Sequence, residues 1–237
     1  MGRRGPGESL MRILAFDTST AVLSLGLYES GRPLWERRDA SFGGHAEQLA
    51  PLIELALHSD PMRGKRIDRI AVGTGPGSFT GLRVGVMTAQ ALGYALGLPV
   101  IGVCTLEAVA ATRPSLVARY PVSVVADARR GMGYVLTLNK PIGAVPAAAP
   151  VLMSIEECRR RASAHGLMWL GGPGQGWESL DGYRVDAGAL ASGVAAVAAL
   201  RRPKGGAIRP VYVRPKDCNV TLPGSKRRTF ASAGGGK

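Results

Sequence analysis

Hydrophobic and polar positions change period along the chain, and the changes mark its elements. Residues 11–16, MRILAF, form a short apolar run that predicts a buried strand. DTSTA turns the chain, and VLSLGLY at 22–28 reads as a second strand with partial alternation. GRPLWERR turns again into a third, short antiparallel strand. From His45 to His58 the period becomes helical, with Leu49, Leu52, Ile53, Ala56 and Leu57 on one stripe. Pro51 lies deep for a helix that starts at His45, so the helix either begins near Gln48 or bends there. DRIAVGTG at 68–75 is a fourth strand, and a helix follows over about Phe79–Leu96. LPVIGV then gives a short buried strand, and TLEAVAATR a helix with Thr105 as its cap. Three antiparallel strands followed by alternating helices and strands describe a mixed sheet with helices packed on it.

A second unit begins at YPVSVVADARRGMGYVLTLN, residues 120–139. Val122, Val124 and Ala126 alternate, Asp127 to Gly131 turn, and Tyr134 to Leu138 return antiparallel. This echoes the strand that ends at Asp17 and turns back. KPIGAVPAAAPVLM is a loop or a wandering edge. SIEECRRRASAHG is a helix capped by Ser154 with Glu157 as its capping-box partner. LMWLGGPGQG is a strand running into a glycine-rich turn, DAGALASGVAAVAALRR a small-residue helix, and IRPVYVRP a short strand. Four segments are expected: an extension over 1–10, a first subdomain over 11–115, a reduced second subdomain over 116–215 and a basic tail over 216–237.

Composition narrows the class. Hydrophobic residues make up 46% of 237, enough for a real core, but aromatics are only 5%. Alanine, valine and leucine must fill the interior. No apolar run reaches membrane-spanning length. The extension 1–10 is expected to be disordered, with Met11 an alternative start. Cys104, Cys158 and Cys218 are odd in number and far apart, which points to a reducing compartment, the cytoplasm by default. The net charge of +13 is uneven: residues 201–237 carry ten Lys/Arg against one acid. Such a tail attracts RNA by counterion release, or simply keeps the end solvated.

The segment GTGPGSFTGLR at 73–83 invites a chemical reading. Gly75, Gly77 and Gly81 permit close backbone approach, and Thr80 lies where exposed N–H groups of a helix start could hold an anion. Yet no lysine follows the glycines, and Ser78 stands where a dinucleotide fingerprint has its last glycine. A phosphate cradle, a structural turn and a partner surface all stand as readings. Downstream, Gly81, Gly85, Ala89 and Gly93 recur every four residues on one helix face. An interior glycine costs about 1 kcal/mol against alanine, so something must pack there at short distance, either this chain or a second one. Met87 and Tyr94 would flank that seat. Asp17 and Asp127 each end a strand. In sugar kinases and actins such aspartates lie near nucleotide and Mg²⁺, but here Thr18, Ser19 and Thr20 replace a glycine-rich first turn. The alternative is that both aspartates cap turns. His45, His58 and His165 lack metal-ligand spacing, so no metal site is expected, and no nucleophile–base pair is compelled by spacing.

ILAFDTSTAVLSLGL, GGHAEQLAPLI, AVGTGPGSFTGLRVGVMTAQALGYALGLPVIGVCTLEAVA and VVADARRGMGYVLTL together resemble the TsaB (YeaZ) family, over about residues 11–139, with a fainter match at RPVYVRPKD. The resemblance implies an actin-like ATPase (ASKHA, ribonuclease H-like) α/β fold with duplicated mixed-sheet subdomains, the second reduced. It implies a non-catalytic subunit, with ATP and metal belonging to its partners. Those partners are a TsaD-like paralogue that binds metal through His-x-x-x-His and a TsaE-like ATPase. The reaction places threonylcarbamoyl on N6 of adenosine 37 in tRNAs reading codons that begin with A. His45 matches the first histidine of the paralogue's motif, and Leu49 stands in place of the second. The helix over 81–96 (Gly81, Gly85, Met87, Ala89, Gly93), with the helix carrying Leu49, Leu52 and Ile53, resembles the pairing surface, through which members also self-associate when alone. The rival reading is a self-sufficient ATP-dependent enzyme or M22-like peptidase of the same fold. A general RNA-binding protein ranks third, because the folded body is nearly neutral and lacks an aromatic platform.

Overall fold

A computed structural model describes residues 10–40, 44–115, 121–142, 149–162, 166–170, 182–203 and 205–213. Its first sheet holds β1 (Arg12–Asp17), β2 (Leu23–Glu29), β3 (Arg32–Asp39), β4 (Arg69–Gly73) and β5 (Val100–Val103), in the order β3-β2-β1-β4-β5. The β1–β2 and β2–β3 pairs are antiparallel, and the β1–β4 and β4–β5 pairs are parallel. The second sheet holds β6 (Val122–Asp127), β7 (Met132–Leu138), β8 (Val151–Ser154), β9 (Gly166–Leu170) and β10 (Tyr183–Val185). Its order, β8-β7-β6-β9-β10, repeats the connectivity and the strand directions of the first. The echo between Asp17 and Asp127 is therefore a true structural repeat. This is the duplicated, mixed-sheet actin-like arrangement.

Helices fill three layers. α1 (His45–Leu57) and α2 (Phe79–Leu96) cover the outer face of the first sheet. α3 (Thr105–Ala111) and α5 (Leu190–Leu200) pack on each other between the sheets. α4 (Ile155–Ala162) lies outside the second sheet. Strand alternation sends side chains to separate cores. From β1, Leu14 and Phe16 join α1 and α2, while Ile13 and Ala15 join the central core with α3 and α5. From β6, Val124 faces that same central core and Val125 faces α4. The small side chains of α5, LASGVAAVAAL, let it lie close to its neighbours without large gaps.

The second half is reduced in specific places. α4 has 8 residues where α1 has 13, and 12 residues join β9 to β10 where 26 join β4 to β5. Three features differ from, or were absent from, the reading of the sequence. α5 follows the second sheet in sequence, yet it packs on β1, β4 and β2 of the first. β10 pairs with β9 but is only three residues long, too short to leave a periodic signal. Residues 208–213 of IRPVYVRP form no sheet strand, although Val211 N–H donates to Thr74 O at 2.7 Å. α1 starts at His45 and contains Pro51. Residues 1–9 of the expected extension 1–10, the whole expected tail 216–237, His165 and Cys218 lie outside the described residues.

Candidate docking face and the turn behind it

The turn after β1 is built around a buried carboxylate. Asp17 is fully buried, and its Oδ1 accepts from Ser19 N–H at 2.7 Å and Ser19 Oγ at 2.6 Å. Its Oδ2 accepts from Thr105 Oγ1 at 2.8 Å, and Thr105 Oγ1 accepts from Gly75 N–H at 3.2 Å. One carboxylate thus ties together the ends of β1 and β4 and the start of α3. Thr105 is not the cap of α3; Cys104 holds that position, and the threonine hydroxyl serves Asp17 instead. Asp127 repeats the local turn, accepting Arg129 N–H at 2.7 Å. Both aspartates brace turns.

Burial pushes the Asp17 carboxyl above its ordinary value, against the hydrogen bonds from Ser19 and Thr105 and the nearby charge of His45, which act the other way. Above the unfolded value of 3.8, the native protein holds a proton that the unfolded chain releases. Stability attached to Asp17 is thus full below that value and falls as pH rises through the native pKa. Asp17→Asn should flatten this decline. Urea unfolding of both proteins from acid to neutral pH checks it, and parallel profiles would mean that Asp17 is ionised in the fold.

The glycine-rich turn is closed by this chain itself. Ser78 N–H donates to Ser19 O at 2.7 Å, and a methyl group at Gly77 would overlap that same carbonyl oxygen. Gly75 has a φ of 93°. Ser78 caps α2 by accepting from Gly81 N–H at 3.3 Å, while Thr80 is exposed. Of the readings open for Gly75, Gly77, Ser78 and Thr80, these contacts fit the structural turn, with the backbone of Ser19 against Gly77 and that of Thr18 against Gly81.

The small-residue stripe also faces inward. Methyl groups at Gly81 and Gly85 would overlap the Thr18 carbonyl and hydroxyl oxygens, and one at Gly93 would overlap Val100. Thr18 Oγ1 donates to Gly81 O at 2.7 Å. Ala89, Leu49 and Ile53 are buried and Leu52 is half-buried, all within this chain. These residues seat α2 and α1 on their own sheet, and are not themselves a seat for a second chain. The correction concerns which face is outward. Of the expected interface residues, Met87 is exposed, at 64%, alongside Tyr94 at 93%, Phe79 at 51% and Leu55 of α1 at 55%. Arg83 is the sole charged residue in all 18 residues of α2. That scarcity of charge was the available signal; the glycine spacing drew attention to the opposite side.

A strap crosses the start of α2. Tyr212 lies 5.1 Å from Phe79, ring centre to ring centre, and Arg83 Nε donates to Tyr212 Oη at 3.3 Å. Ile208 of the strap packs into the core beneath α2.

Among the described residues, the polar groups that the sequence offers for chemistry are engaged in local contacts. His45 Nε2 lies 3.3 Å from Ala21 O, Asp17 is enclosed, and Ser78 serves as a helix cap. Leu49, in the place of a second motif histidine, is in the core. Burial pushes the thiols of Cys104 and Cys158 up to about 11, so neither is a thiolate at neutral pH. Among the described residues no cluster of His, Cys, Asp and Glu could hold a metal ion, and no helix is long and apolar enough to cross a membrane.

Residues 40–158 match the family described as TsaD: tRNA N6-adenosine threonylcarbamoyltransferase. Two solved Pseudomonas aeruginosa structures, one of YeaZ and one of a protein described as similar to peptidase YeaZ, align over 86% of this chain and all of theirs. The TM-score is 0.63 for each, at 25% and 27% identity. The chain belongs to this family, in its TsaB/YeaZ group. It is similar to Escherichia coli TsaB, described as a tRNA threonylcarbamoyladenosine biosynthesis protein, at 37% identity over 130 residues, 52% of this chain and 53% of that one. Bacillus subtilis TsaB is 33% identical over 124 residues, with 52% and 53% covered. An uncharacterised Mycobacterium leprae protein is 41% identical over 122 residues, 50% of this chain but 33% of that one. The chain thus spans between a third and about half the length of these curated relatives.

Proposed function

We propose that this chain is the non-catalytic partner of a TsaD-like transferase, supporting attachment of threonylcarbamoyl to N6 of adenosine 37 in tRNAs that read codons beginning with A. The observation that carries the proposal is the outer face of α2. It exposes Phe79, Met87 and Tyr94 and has one charge, on a chain whose TsaB/YeaZ relatives are named for this modification. A soluble helix with such a face has apolar surface to cover. Buried Gly81, Gly85, Ala89 and Gly93 hold the helix rigidly on its sheet, so Met87 and Tyr94 are presented in fixed positions. A TsaE-like ATPase and tRNA join through the complex, and the same face serves self-association when the partner is absent. A self-sufficient ATPase or peptidase has less support, because Asp17, Ser78 and His45 are each engaged in turn or cap contacts.

Reconstitution with the TsaD-like and TsaE-like proteins, tRNA, ATP and threonylcarbamoyl-adenylate tests the proposal. This chain alone is expected to modify no tRNA, and its addition to raise the partner's yield. Met87→Arg is expected to cut that stimulation by at least about 10-fold, with melting unchanged because the side chain is exposed. Full modification without this chain, or with the Met87 variant, would reject the docking role.

A further inference from the structure

We infer that the strap Ile208–Tyr212 is a second wall of the docking surface, and that Arg83 selects a partner helix carrying a carboxylate beside a large apolar side chain. The inference rests on the docking role of α2 proposed above and adds the strap and the chemistry of the occupant.

The strap is fixed at two points before it reaches the surface. Val211 N–H donates to Thr74 O at 2.7 Å, and Ile208 packs against Gly102 and the core beneath α2. Tyr212 is thereby delivered to Phe79, their rings 5.1 Å apart and tilted by 39°. The Arg83 guanidinium lies 3.8 Å from the centre of the Phe79 ring, and Arg83 Nε donates to the tyrosine oxygen. Between strap and helix runs a groove of about 300 Å³ lined by Val86, Met87, Gln90, Ile208, Pro210 and Tyr212, with Arg83 at its rim. Its walls are mainly apolar and its floor is held by the core, which suits one large apolar side chain.

Charge decides the rest. Among the described residues no carboxylate lies within ion-pair distance of Arg83, and α2 carries no acid. A partner that covers Arg83 without supplying a carboxylate removes its hydration with only the Phe79 ring and the Tyr212 oxygen to offset the loss. A helix with an acidic residue next to its apolar anchor satisfies both the groove and its rim, whereas a neutral apolar helix satisfies only the groove.

The test titrates the full-length chain with the TsaD-like subunit by calorimetry, at about 50 and 300 mM salt. Tyr212→Ala and Arg83→Gln are each expected to weaken binding about 10-fold, and Arg83→Gln to flatten the salt dependence. Tyr212→Phe keeps the ring and should stay within about threefold of wild type. Melting curves of the exposed Arg83 variant report that the fold is intact. If Met87→Arg abolishes binding while Tyr212→Ala and Arg83→Gln bind as wild type, the strap proposal is overturned and docking through α2 stands. If Met87→Arg also binds as wild type, the docking role itself fails. Variants that change only self-association, read by light scattering, would assign the groove to a second copy of this chain and overturn the proposal.

Discussion

Gly81→Ala is expected to destabilise the protein, although alanine is the better helix former. At an unobstructed position the exchange would add about 1 kcal/mol of helix propensity. Here the new methyl would overlap the Thr18 carbonyl oxygen, a backbone atom that no rotamer change can move. α2 must withdraw from the β1–β2 turn, stretching the Thr18 Oγ1 to Gly81 O bond. Overpacking of this kind costs about 1–3 kcal/mol, and Gly81→Val more. Gly85→Ala meets only the Thr18 hydroxyl, which can rotate, so its loss should be smaller. Urea midpoints at fixed m-value read the series. A gain in stability at Gly81 would place the stripe on the surface, the outcome that sequence alone left open.

The second large effect lies between the sheets. Arg201 donates to both oxygens of Glu107 at 2.7 and 2.8 Å and to Gly102 O at 3.2 Å. The Glu107 side chain is 5% exposed and that of Arg201 24%. The pair fastens the end of α5 to α3 and β5, and Arg69 caps the same helix end through Ala198 O and Arg201 O, at 2.9 and 3.0 Å. Arg201→Met leaves Glu107 buried without its partner, an expected loss of about 3 kcal/mol. Adding Glu107→Gln should restore much of it, because the uncompensated charge is gone. A double-mutant cycle by denaturation measures the coupling. Additive losses would mean that the pair contributes no mutual stabilisation.

Legibility in the sequence followed the range of the interactions. α2 was readable to its ends because its N-cap Ser78, its left-handed Gly97 and its periodicity are all local. The β6–β7 hairpin was equally plain. β10 was not, since a three-residue strand is defined by its pairing with β9. The placement of α5 on the first sheet is a long-range fact without periodic signature. Thr105 shows a related limit: its position and type suit a cap, but Asp17, 88 residues earlier, claims its hydroxyl. At the candidate site, glycine spacing correctly indicated close packing, but spacing alone does not say whether the close neighbour is the same chain. The outward residues Phe79, Met87 and Tyr94 were legible only as apolar positions that the buried stripe left over. The strap contact of Tyr212 with Phe79, more than a hundred residues apart, had no local signal.

The most direct measurement is the mass, by size exclusion with light scattering, of this chain mixed with the TsaD-like subunit in the absence of tRNA. The expected result is a defined heterocomplex that Met87→Arg dissolves while leaving the folded chain intact. A chain that elutes at its own mass beside the partner, and turns over ATP or peptide alone, would contradict the account.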